Sequence, residues 1–309
     1  MTDGAALRIG TRGSPLARIQ AGAVRDALIA AHPELAGRIA IAVVRTSGDR
    51  FRDRALAEIG GKGLFTKEID EALLDGRIDL AVHSMKDVPT WLPDGVIVPC
   101  LLRREDPRDA LLGAATIEAL GEGAVVGSAS VRRRAQLLAR RPDLKVVLLR
   151  GNVETRLKKL AAGEVDATLL AMAGLKRLGI AGECGAVALA PEVLLPAAGQ
   201  GAVGVACRAD DGGAHRWLAA VHHPPTATAI AAERTFLAAL DGSCRTPIAA
   251  FAERAGGRVR LRGLLADPEG RWVERIERTG PAAEAAALGT AAGETVRARV
   301  DPGFFEEVG

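Results

Sequence analysis

Short apolar runs alternate with helix-like segments along most of the chain, and this alternation constrains the fold more than any other feature. The runs from Leu7 to Ile9, Arg38 to Val44 and Ile78 to Val82 predict buried strands, with helical segments between them. A helix after each strand implies right-handed βαβ units and mainly parallel sheets. The rhythm restarts past Pro99, so we predict two α/β units of similar size.

The remaining sequence predicts a return to the first unit and then a third, smaller domain. An apolar run from Ala202 to Cys207 predicts a strand that crosses back into the first domain. After the break at His222-His223-Pro224-Pro225, a helix over 227–240, three strand candidates and an Ala-rich helix predict an α+β domain. The predicted domains are 1–101 with 200–220, 106–195, and 224–309.

The composition excludes several classes of protein. The 309 residues include 41 Lys plus Arg and 38 Asp plus Glu, a net charge of +3, which is too balanced for a polybasic nucleic-acid arm. Aromatic residues make up 3% and Tyr is absent, which disfavours a stacking platform for single-stranded nucleic acid. The first residues lack a signal-peptide pattern, and no uncharged apolar run reaches about 18 residues. We therefore expect a cytoplasmic protein that binds neither nucleic acid nor membrane.

Three strand-to-helix turns carry arginines where a helix N-terminus is predicted. They are Arg12-Gly13-Ser14-Pro15, then Ser128-Ala129-Ser130 leading into Arg132-Arg133-Arg134, and Arg150-Gly151-Asn152 followed by Arg156. A cation opposes the partial positive charge of a helix N-terminus, whereas an anion binds its free N–H groups. The three turns therefore predict an external anion shared by guanidinium and N–H groups. The alternative is that these arginines are solvated helix-face charges.

Three other motifs are weaker indications of function. The basic, glycine-rich segment at Gly60-Gly61-Lys62-Gly63 fails the P-loop pattern, because a glycine follows the lysine. Two G-x-G-x-x-G strings, from Gly121 and from Gly199, lack the strand-turn-helix context of a dinucleotide site. The adjacent His222-His223 pair before two prolines indicates a linker rather than a metal site. We expect no bound metal.

A cluster of polar residues ends the third predicted strand. His83, Ser84, Lys86 and Asp87 follow an apolar run, at the strand end where α/β enzymes usually carry catalytic groups. Val88-Pro89 restricts the backbone and would hold the Asp87 carboxylate in place. A hydrolase triad is disfavoured because no G-x-S-x-G elbow is present. Asp87 could instead pair with Lys86 or cap a turn.

The four cysteines are too far apart for a disulfide scaffold or a zinc ribbon. Cys244 lies in a Gly/Ser turn beside Arg245, which favours the thiolate, so the sequence leaves open a reactive or an inert thiol. Cys100 and Cys207 lie in apolar runs and indicate packing. Cys184 lies in a turn and is undecided.

Long segments of the sequence resemble the porphobilinogen deaminase family, also called the hydroxymethylbilane synthases. The matching segments are RIGTRGSPLA from Arg8, RTSGD from Arg45, GGKGLFTKEID from Gly60, AVHSMKDVP from Ala81, GSASVRRRAQL from Gly127, LRGNVETRLKKL from Leu149, ATLLAMAGLKRLG from Ala167, LPAAGQGAVGV from Leu195 and GSCRTPIAA from Gly242. The C-terminal part matches only in its pattern. The resemblance implies two periplasmic-binding-protein-like α/β domains flanking a cleft, plus a small C-terminal α+β domain.

The resemblance also implies a transferase that condenses four porphobilinogen molecules head to tail into hydroxymethylbilane and releases ammonia at each step. Its primer is a covalent dipyrromethane cofactor, joined by a thioether to the cysteine that matches Cys244. The family's catalytic aspartate matches Asp87. A non-catalytic two-lobed anion-binding protein is the alternative, and a nucleic-acid binder is a third class. We expect a monomer with porphobilinogen as its small-molecule partner.

Each porphobilinogen ring bears an acetate and a propionate, and arginine binds carboxylates in bidentate pairs. The resemblance, together with added side-chain donors, predicts carboxylate binding by Arg12, Ser14, Lys62, Ser84, Lys86, Ser128, Ser130, Arg132, Arg133, Arg150, Arg156 and Arg177. Two positions depart from the family pattern. Glu58 stands where many members have lysine, and Trp91 stands where an acidic residue is usual; both belong to or flank the active-site loop.

Overall fold

The computed structural model describes residues 7–46, 66–242 and 246–308. Within these ranges the strands are β1 (Leu7–Thr11), β2 (Ile39–Val43), β3 (Leu80–Ser84), β4 (Val96–Leu101), β5 (Asp109–Leu112), β6 (Val125–Gly127), β7 (Lys145–Val147), β8 (Ala167–Ala171), β9 (Val187–Ala188), β10 (Val203–Arg208), β11 (Ile248–Ala255), β12 (Arg258–Ala266) and β13 (Val273–Pro281). The helices are α1 (Pro15–Ala31), α2 (Lys67–Leu74), α3 (Val131–Arg140), α4 (Val153–Ala161), α5 (Met172–Arg177), α6 (Gly212–Ala219), α7 (Pro224–Ala239), α8 (Ala285–Arg297) and α9 (Pro302–Val308).

The first compact unit contains the described residues of Met1–Phe51, Gly61–Glu105 and Ala202–Ala227. Its sheet has the strand order β2-β1-β3-β10-β4. Helices α1 and α6 cover buried residues of this sheet, such as Ile9 and Val205. Because β10 pairs with β3 and with β4, the predicted return of the chain to the first sheet is confirmed.

The second compact unit contains the described residues of Asp106–Gly201 and Thr228–Gly309. It holds a sheet with the strand order β7-β6-β8-β5-β9 and a separate antiparallel sheet, β11-β12-β13, which carries the predicted meander. Ala135 of α3 packs with Phe251 and Ala266 of the antiparallel sheet in one buried cluster. The division of the chain into three domains stays a prediction.

The prediction of mainly parallel sheets is wrong. Within the described residues, β1 runs parallel to β2 and β3, but β10 runs antiparallel to both of its neighbours. In the second unit, β6 runs parallel to β7 and β8, whereas β5 runs antiparallel to β8 and β9. The two strands that run against the others of their sheets, β10 and β5, each follow closely on a segment where the chain passes between units. They do not belong to βαβ repeats, so the repeat does not dictate their direction.

Helix α7 begins at Pro224, three residues before the predicted start at Ala227. Proline suits the first helical turn because an N–H at that position has no acceptor within the helix, so its loss costs no helical hydrogen bond. The Thr226 N–H donates to Nδ1 of His223 at 3.2 Å, so the histidine closes the helix start. His222 Nδ1 accepts from the Leu101 N–H at 3.2 Å. The two histidines anchor this segment rather than forming a free linker.

Cys100 and Cys207 lie buried on β4 and β10, which confirms their predicted packing role. Burial raises the pKa of Cys100 to about 12 and that of Cys207 to about 11. Cys184 is half-buried and packs beside a smaller apolar cluster. In the part of the chain that the structure describes, none of the helices has the length and apolarity needed to span a membrane.

Candidate functional site

The three arginine-bearing turns each cap a helix, as predicted. Ser14, Ser130 and Asn152 accept a hydrogen bond from the backbone N–H three residues on, at 3.3, 3.4 and 2.8 Å. They begin α1, α3 and α4, in that order. A side-chain cap satisfies only part of the set of unpaired N–H groups at a helix N-terminus. The remaining N–H groups of each turn carry partial positive charge that suits an anion.

A cavity of about 70 Å³ in the first unit lies where β1 and β3 end. It brings together four predicted site residues: Arg12, Ser14, Ser84 and Asp87. Its full lining is Arg12, Ser14, Leu16, Ala17, Gln20, Thr66, Val82, His83, Ser84 and Asp87. Lys86, also predicted, is exposed and is not part of this lining.

Gln20 is a cavity residue that the sequence did not single out. It is buried on the apolar face of α1 with Val24 and Leu28, and its Nε2 donates to Ser84 Oγ at 2.8 Å. The spacing of Gln20 from Val24 and Leu28 is the helical repeat of a buried face. A polar residue within that repeat was the available signal.

His83 contributes a neutral ring to the cavity. The residue is only 7% exposed. Burial lowers the pKa of His83 to about 4, and the positive charge of Arg12 acts in the same direction. The imidazole is therefore uncharged near neutral pH. Asp87, half-buried beside it, ends a 3₁₀ turn that the Val88 N–H closes by donating to Met85 O at 3.3 Å.

In the second unit, Arg132 and Arg133 are both 5% exposed and share one carboxylate. Asp109 Oδ2 lies 2.8 Å from Arg132 Nη1. Asp109 Oδ1 accepts from Arg133 Nε at 3.0 Å and from Arg133 Nη2 at 2.6 Å. Arg132 also donates to Leu195 O at 2.6 Å, and Arg133 to Leu169 O at 2.7 Å. Two predicted anion-binding arginines thus have an internal partner as well.

Asp109 is ionised despite being inaccessible to solvent. Burial acts to raise the pKa of its carboxyl group, but the charges and hydrogen bonds of Arg132 and Arg133 outweigh burial. Together they hold the pKa of Asp109 well below its usual range. Sequence reasoning missed this residue because it ends the mixed-charge string Glu105-Asp106-Pro107-Arg108-Asp109. The apolar run that follows, from Ala110 to Leu112, was the one signal that Asp109 begins a buried strand.

Arg156 lies near other cations. Burial, with the charges of Arg133 and Arg150 acting in the same direction, lowers the pKa of Arg156 to about 10. Its Nε donates to Gly151 O at 3.0 Å. The neighbouring guanidinium groups at the starts of α3 and α4 therefore repel one another.

Two other predicted residues of the second unit make hydrogen bonds to backbone groups. Ser128 Oγ accepts from the Ser130 N–H at 3.2 Å, within the turn before α3. Arg177 Nη2 donates to Gly201 O at 2.8 Å. Both are at least half-buried. Their predicted part in ligand binding stays a prediction.

Several predicted residues lie outside the described residues, namely Lys62, Cys244 and Glu58. Trp91 is described and is 45% exposed. Over the described ranges, no group of three or more His, Cys, Asp or Glu side chains is arranged to hold a metal ion.

Comparison with known proteins decides the family. Residues 7–216 match the family model "Porphobilinogen deaminase, dipyromethane cofactor binding domain", and residues 227–298 match "Porphobilinogen deaminase, C-terminal domain". The chain belongs to the porphobilinogen deaminase family. The predicted family, its activity and its dipyrromethane cofactor are thereby confirmed. Porphobilinogen is the substrate that this activity implies.

Porphobilinogen deaminases with close sequence similarity span nearly the whole chain. A protein of Paracoccus denitrificans (strain Pd 1222) with the name "Porphobilinogen deaminase" is 55% identical over 302 residues, covering 97% of this chain and 96% of the relative. "Porphobilinogen deaminase, chloroplastic" of Oryza sativa subsp. japonica is 54% identical over 309 residues, covering 98% and 86%. This identity favours the enzyme over the alternative of a non-catalytic anion-binding protein.

The chain is also similar to solved structures of periplasmic binding proteins. One of them is the putative sulfonate ABC transporter periplasmic sulfonate-binding protein from Methylobacillus flagellatus KT, with 17% sequence identity and a TM-score of 0.37. The match covers 74% of this chain and 66% of that chain. The predicted fold class is confirmed, with two α/β sheets and a C-terminal antiparallel sheet with helices.

Proposed function

We propose that the second unit of this porphobilinogen deaminase binds the carboxylates of the dipyrromethane primer and the growing chain, and that the first unit carries the condensation chemistry. The observation that carries the proposal is the cluster of mutually repelling arginines in the second unit, of which Arg132 and Arg133 are buried and Arg150 and Arg156 half-buried. The charge of Arg156 is disfavoured by burial and by two neighbouring cations. A polycarboxylate would relieve that repulsion, because opposite charges favour the ionised forms of both partners.

The donors of this cluster fit the carboxylates of a dipyrromethane. Within the described residues, Arg132 hydrogen-bonds through Nη1 alone, and Arg156 through Nε alone. Guanidinium groups carry five N–H donors in a planar fork, so both retain donors for a ligand. We propose that Arg132, Arg133, Arg150 and Arg156 hold the primer, with Ser128, Ser130 and Arg177 as further donors. The primer joins the chain at Cys244 and, when bound, supplies the terminal pyrrole carbon to which the first porphobilinogen is added.

The first unit is proposed to act on the incoming porphobilinogen. Loss of ammonia breaks the aminomethyl C–N bond and leaves an electrophilic methylene carbon, with positive charge shared by the pyrrole nitrogen. The Asp87 carboxylate accepts a hydrogen bond from that N–H and stabilises the charge as it develops. Arg12, Ser14 and Ser84 line the same cavity and are proposed to bind the acetate and propionate of the substrate, with Lys62 and Lys86 as additional cations.

The neutral imidazole of His83 supports this assignment. A protonated histidine beside Arg12 would add a second positive charge where the substrate itself becomes cationic. Burial keeps the pKa of His83 near 4, so the ring adds no charge at neutral pH. Among the described residues that line this cavity, Asp87 carries the one carboxylate. We therefore propose Asp87 as the catalytic residue.

The location, the oligomeric state and the domain division of the enzyme are proposed as well. We propose a cytoplasmic monomer with the three domains 1–101 with 200–220, 106–195 and 224–309. The free thiols of Cys100, Cys184 and Cys207 support a reducing compartment. Light scattering of the purified enzyme tests the monomer, and cell fractionation tests the compartment.

The experiment that tests the arginine cluster compares two neighbours on α3. Arg132→Gln removes a buried guanidinium of the cluster, whereas Arg134→Gln removes one that pairs with Glu269. We expect Arg132→Gln to lower primer occupancy, measured by intact mass, by about tenfold or more, since one charged hydrogen bond contributes roughly 1.5–3 kcal/mol. Arg134→Gln should keep both occupancy and turnover. Full occupancy and an unchanged KM in Arg132→Gln would contradict the proposal.

A further inference from the structure

Asp109 is the buried carboxylate around which the arginine cluster is arranged. It is the first residue of β5 and has no solvent-accessible surface. The chemistry proposed above gives it no contact with substrate. A charge in such a place is retained only where its partners compensate for the lost hydration. Its partners therefore indicate its role.

Those partners are consecutive residues of one helix. Successive side chains of an α-helix diverge by about 100°, so Arg132 and Arg133 do not face each other by helix geometry alone. Both guanidinium groups nevertheless meet at Asp109, one at each carboxylate oxygen. The carboxylate draws together two cations that would otherwise repel each other.

Each of the two guanidinium groups also donates to a backbone carbonyl. Arg132 Nη1 donates to Leu195 O, and Arg133 Nη1 donates to Leu169 O. Because the guanidinium is a rigid plane, the two partners of Arg132 Nη1, Asp109 Oδ2 and Leu195 O, fix the direction of every remaining N–H of that group. The Nε and Nη2 atoms of Arg132 make no hydrogen bond to the described part of the chain, so their N–H groups have a set direction and remain available.

Asp109 is itself fixed by Gln200. The buried Gln200 Nε2 donates to Asp109 Oδ1 at 3.0 Å and to Pro107 O at 2.7 Å. Pro107 lies just before β5, and Gln200 lies in the segment 195–201. The carboxylate is therefore held by the chain on both sides of it, and it cannot follow a guanidinium that shifts.

We propose that Asp109 is a positioning residue for primer and substrate binding: it clamps Arg132 and Arg133 so that the remaining N–H donors of Arg132 meet ligand carboxylates in one fixed arrangement. This inference rests on the proposed function of the arginine cluster. Asp109 also offsets part of the cluster's charge, which lets two cations stay buried side by side before the ligand arrives.

A matched control exists in the same unit. The Asp106 side chain is 6% exposed and accepts from Arg108 and Lys176, at 2.7 and 3.1 Å. It has the same chemistry as Asp109, one buried carboxylate between two cations, but none of the cluster arginines is among these partners. Asp106→Asn therefore measures what the loss of such a carboxylate does to stability alone.

The experiment compares Asp109→Asn, Asp109→Glu and Asp106→Asn by intact mass, by KM and kcat separately, and by thermal unfolding. We expect Asp109→Asn to lower primer occupancy by about tenfold or more. Asp109→Glu keeps the charge but displaces it, so it should fold and take up primer, with KM raised about tenfold or more and kcat little changed. Asp106→Asn should lower the unfolding midpoint while leaving occupancy and KM as in the wild type.

Asp109→Glu with wild-type occupancy and KM would overturn the inference, as would fully primed Asp109→Asn with an unchanged KM. Where Asp109→Asn does not fold, Asp109→Glu decides. Arg132→Gln distinguishes a failure of the proposed function from a failure of the positioning role. If Arg132→Gln lacks any effect on occupancy and KM, the proposed function itself fails; if Arg132→Gln loses primer but the Asp109 variants do not, only the positioning role fails.

Discussion

Gln20 Nε2 donates a hydrogen bond to Ser84 Oγ at 2.8 Å, which joins the buried face of α1 to the end of β3. This contact orients the Ser84 hydroxyl within the cavity that also holds Asp87. A hydroxyl that loses its donor rotates toward another partner. The direction in which it can donate a hydrogen bond to a ligand is then no longer fixed.

Gln20→Met keeps the approximate volume of the side chain and removes the donor. We expect turnover to fall about fivefold while the free energy of unfolding changes by about 1 kcal/mol, the net contribution of one hydrogen bond. Steady-state rates and urea unfolding measure the two effects. Ser84→Ala should give a similar loss, and the double variant should lose less than the sum, because the two residues act through one contact. Additive losses would contradict this coupling.

Asp87→Asn tests the catalytic assignment. The amide keeps the shape of the carboxylate but lacks the negative charge that is proposed to stabilise the cationic pyrrole. We expect turnover to fall by about 10²–10³-fold, the scale seen when one group that stabilises a developing charge is removed. Intact mass should show that the primer remains attached. Ammonia release at the wild-type rate would contradict the role given to Asp87.

The helices and most strands of this chain follow from local sequence, whereas the site's internal partners do not. Ser14, Ser130 and Asn152 begin helices where the sequence predicted, because capping depends on neighbours a few residues away. The Asp109 side-chain contacts to Arg132, Arg133 and Gln200 join residues 23 to 91 positions apart. Nothing local in the string around Asp109 distinguishes a buried ion pair from surface charges.

The reversed direction of β5 and β10 could not be predicted from the sequence for a similar reason. A strand's direction in a sheet depends on how the chain enters it, and these strands border the passages between the two units. The arginine turns were predicted as parts of an anion site, and the structure groups Arg133, Arg150 and Arg156 by their mutual electrostatic influence. That Arg132 and Arg133 also have a protein carboxylate could be learned only from the fold.

Two buried groups of the first unit should give the enzyme opposite pH responses. Burial and the charge of Arg12 lower the pKa of His83 to about 4, from an ordinary value of 6.5. The unfolded chain thus binds a proton that the folded chain excludes, and stability falls as pH drops from about 6.5 to 4. Burial raises the pKa of Asp70 to about 6, from an ordinary value of 3.8. The folded chain then binds the extra proton, so stability falls as pH rises from about 4 to 6.

Each response amounts to about 3 kcal/mol, and the two nearly cancel between pH 4 and 6. His83→Gln should remove the first, so that its stability relative to the wild type rises as pH falls through this window. Asp70→Asn should do the reverse, gaining relative stability as pH rises. Urea unfolding of the wild type and both variants at several pH values measures these differences. Parallel pH curves for all three proteins would contradict the assignment.

Gly270→Ala tests how closely the β12–β13 turn approaches α3. Gly270 has φ +74°, and a Cβ there would lie 2.3 Å from Ala139 N and 2.7 Å from Ala135 O. The clash with helix backbone adds to the cost of the left-handed conformation, so we expect a loss of at least about 2 kcal/mol in unfolding free energy. Gly256→Ala is the control, since Gly256 has φ +58° and open space around it. Equal losses for the two variants would mean that the turn does not press on the helix.

The intact mass of the purified, active enzyme shows directly whether it carries the primer. We propose that a dipyrromethane joined to Cys244 primes the synthesis and that the arginine cluster holds its carboxylates. We expect a mass that exceeds the sequence mass by two pyrrole units, and the bare sequence mass for Cys244→Ala. A fully active wild-type enzyme with the bare sequence mass would contradict this proposal.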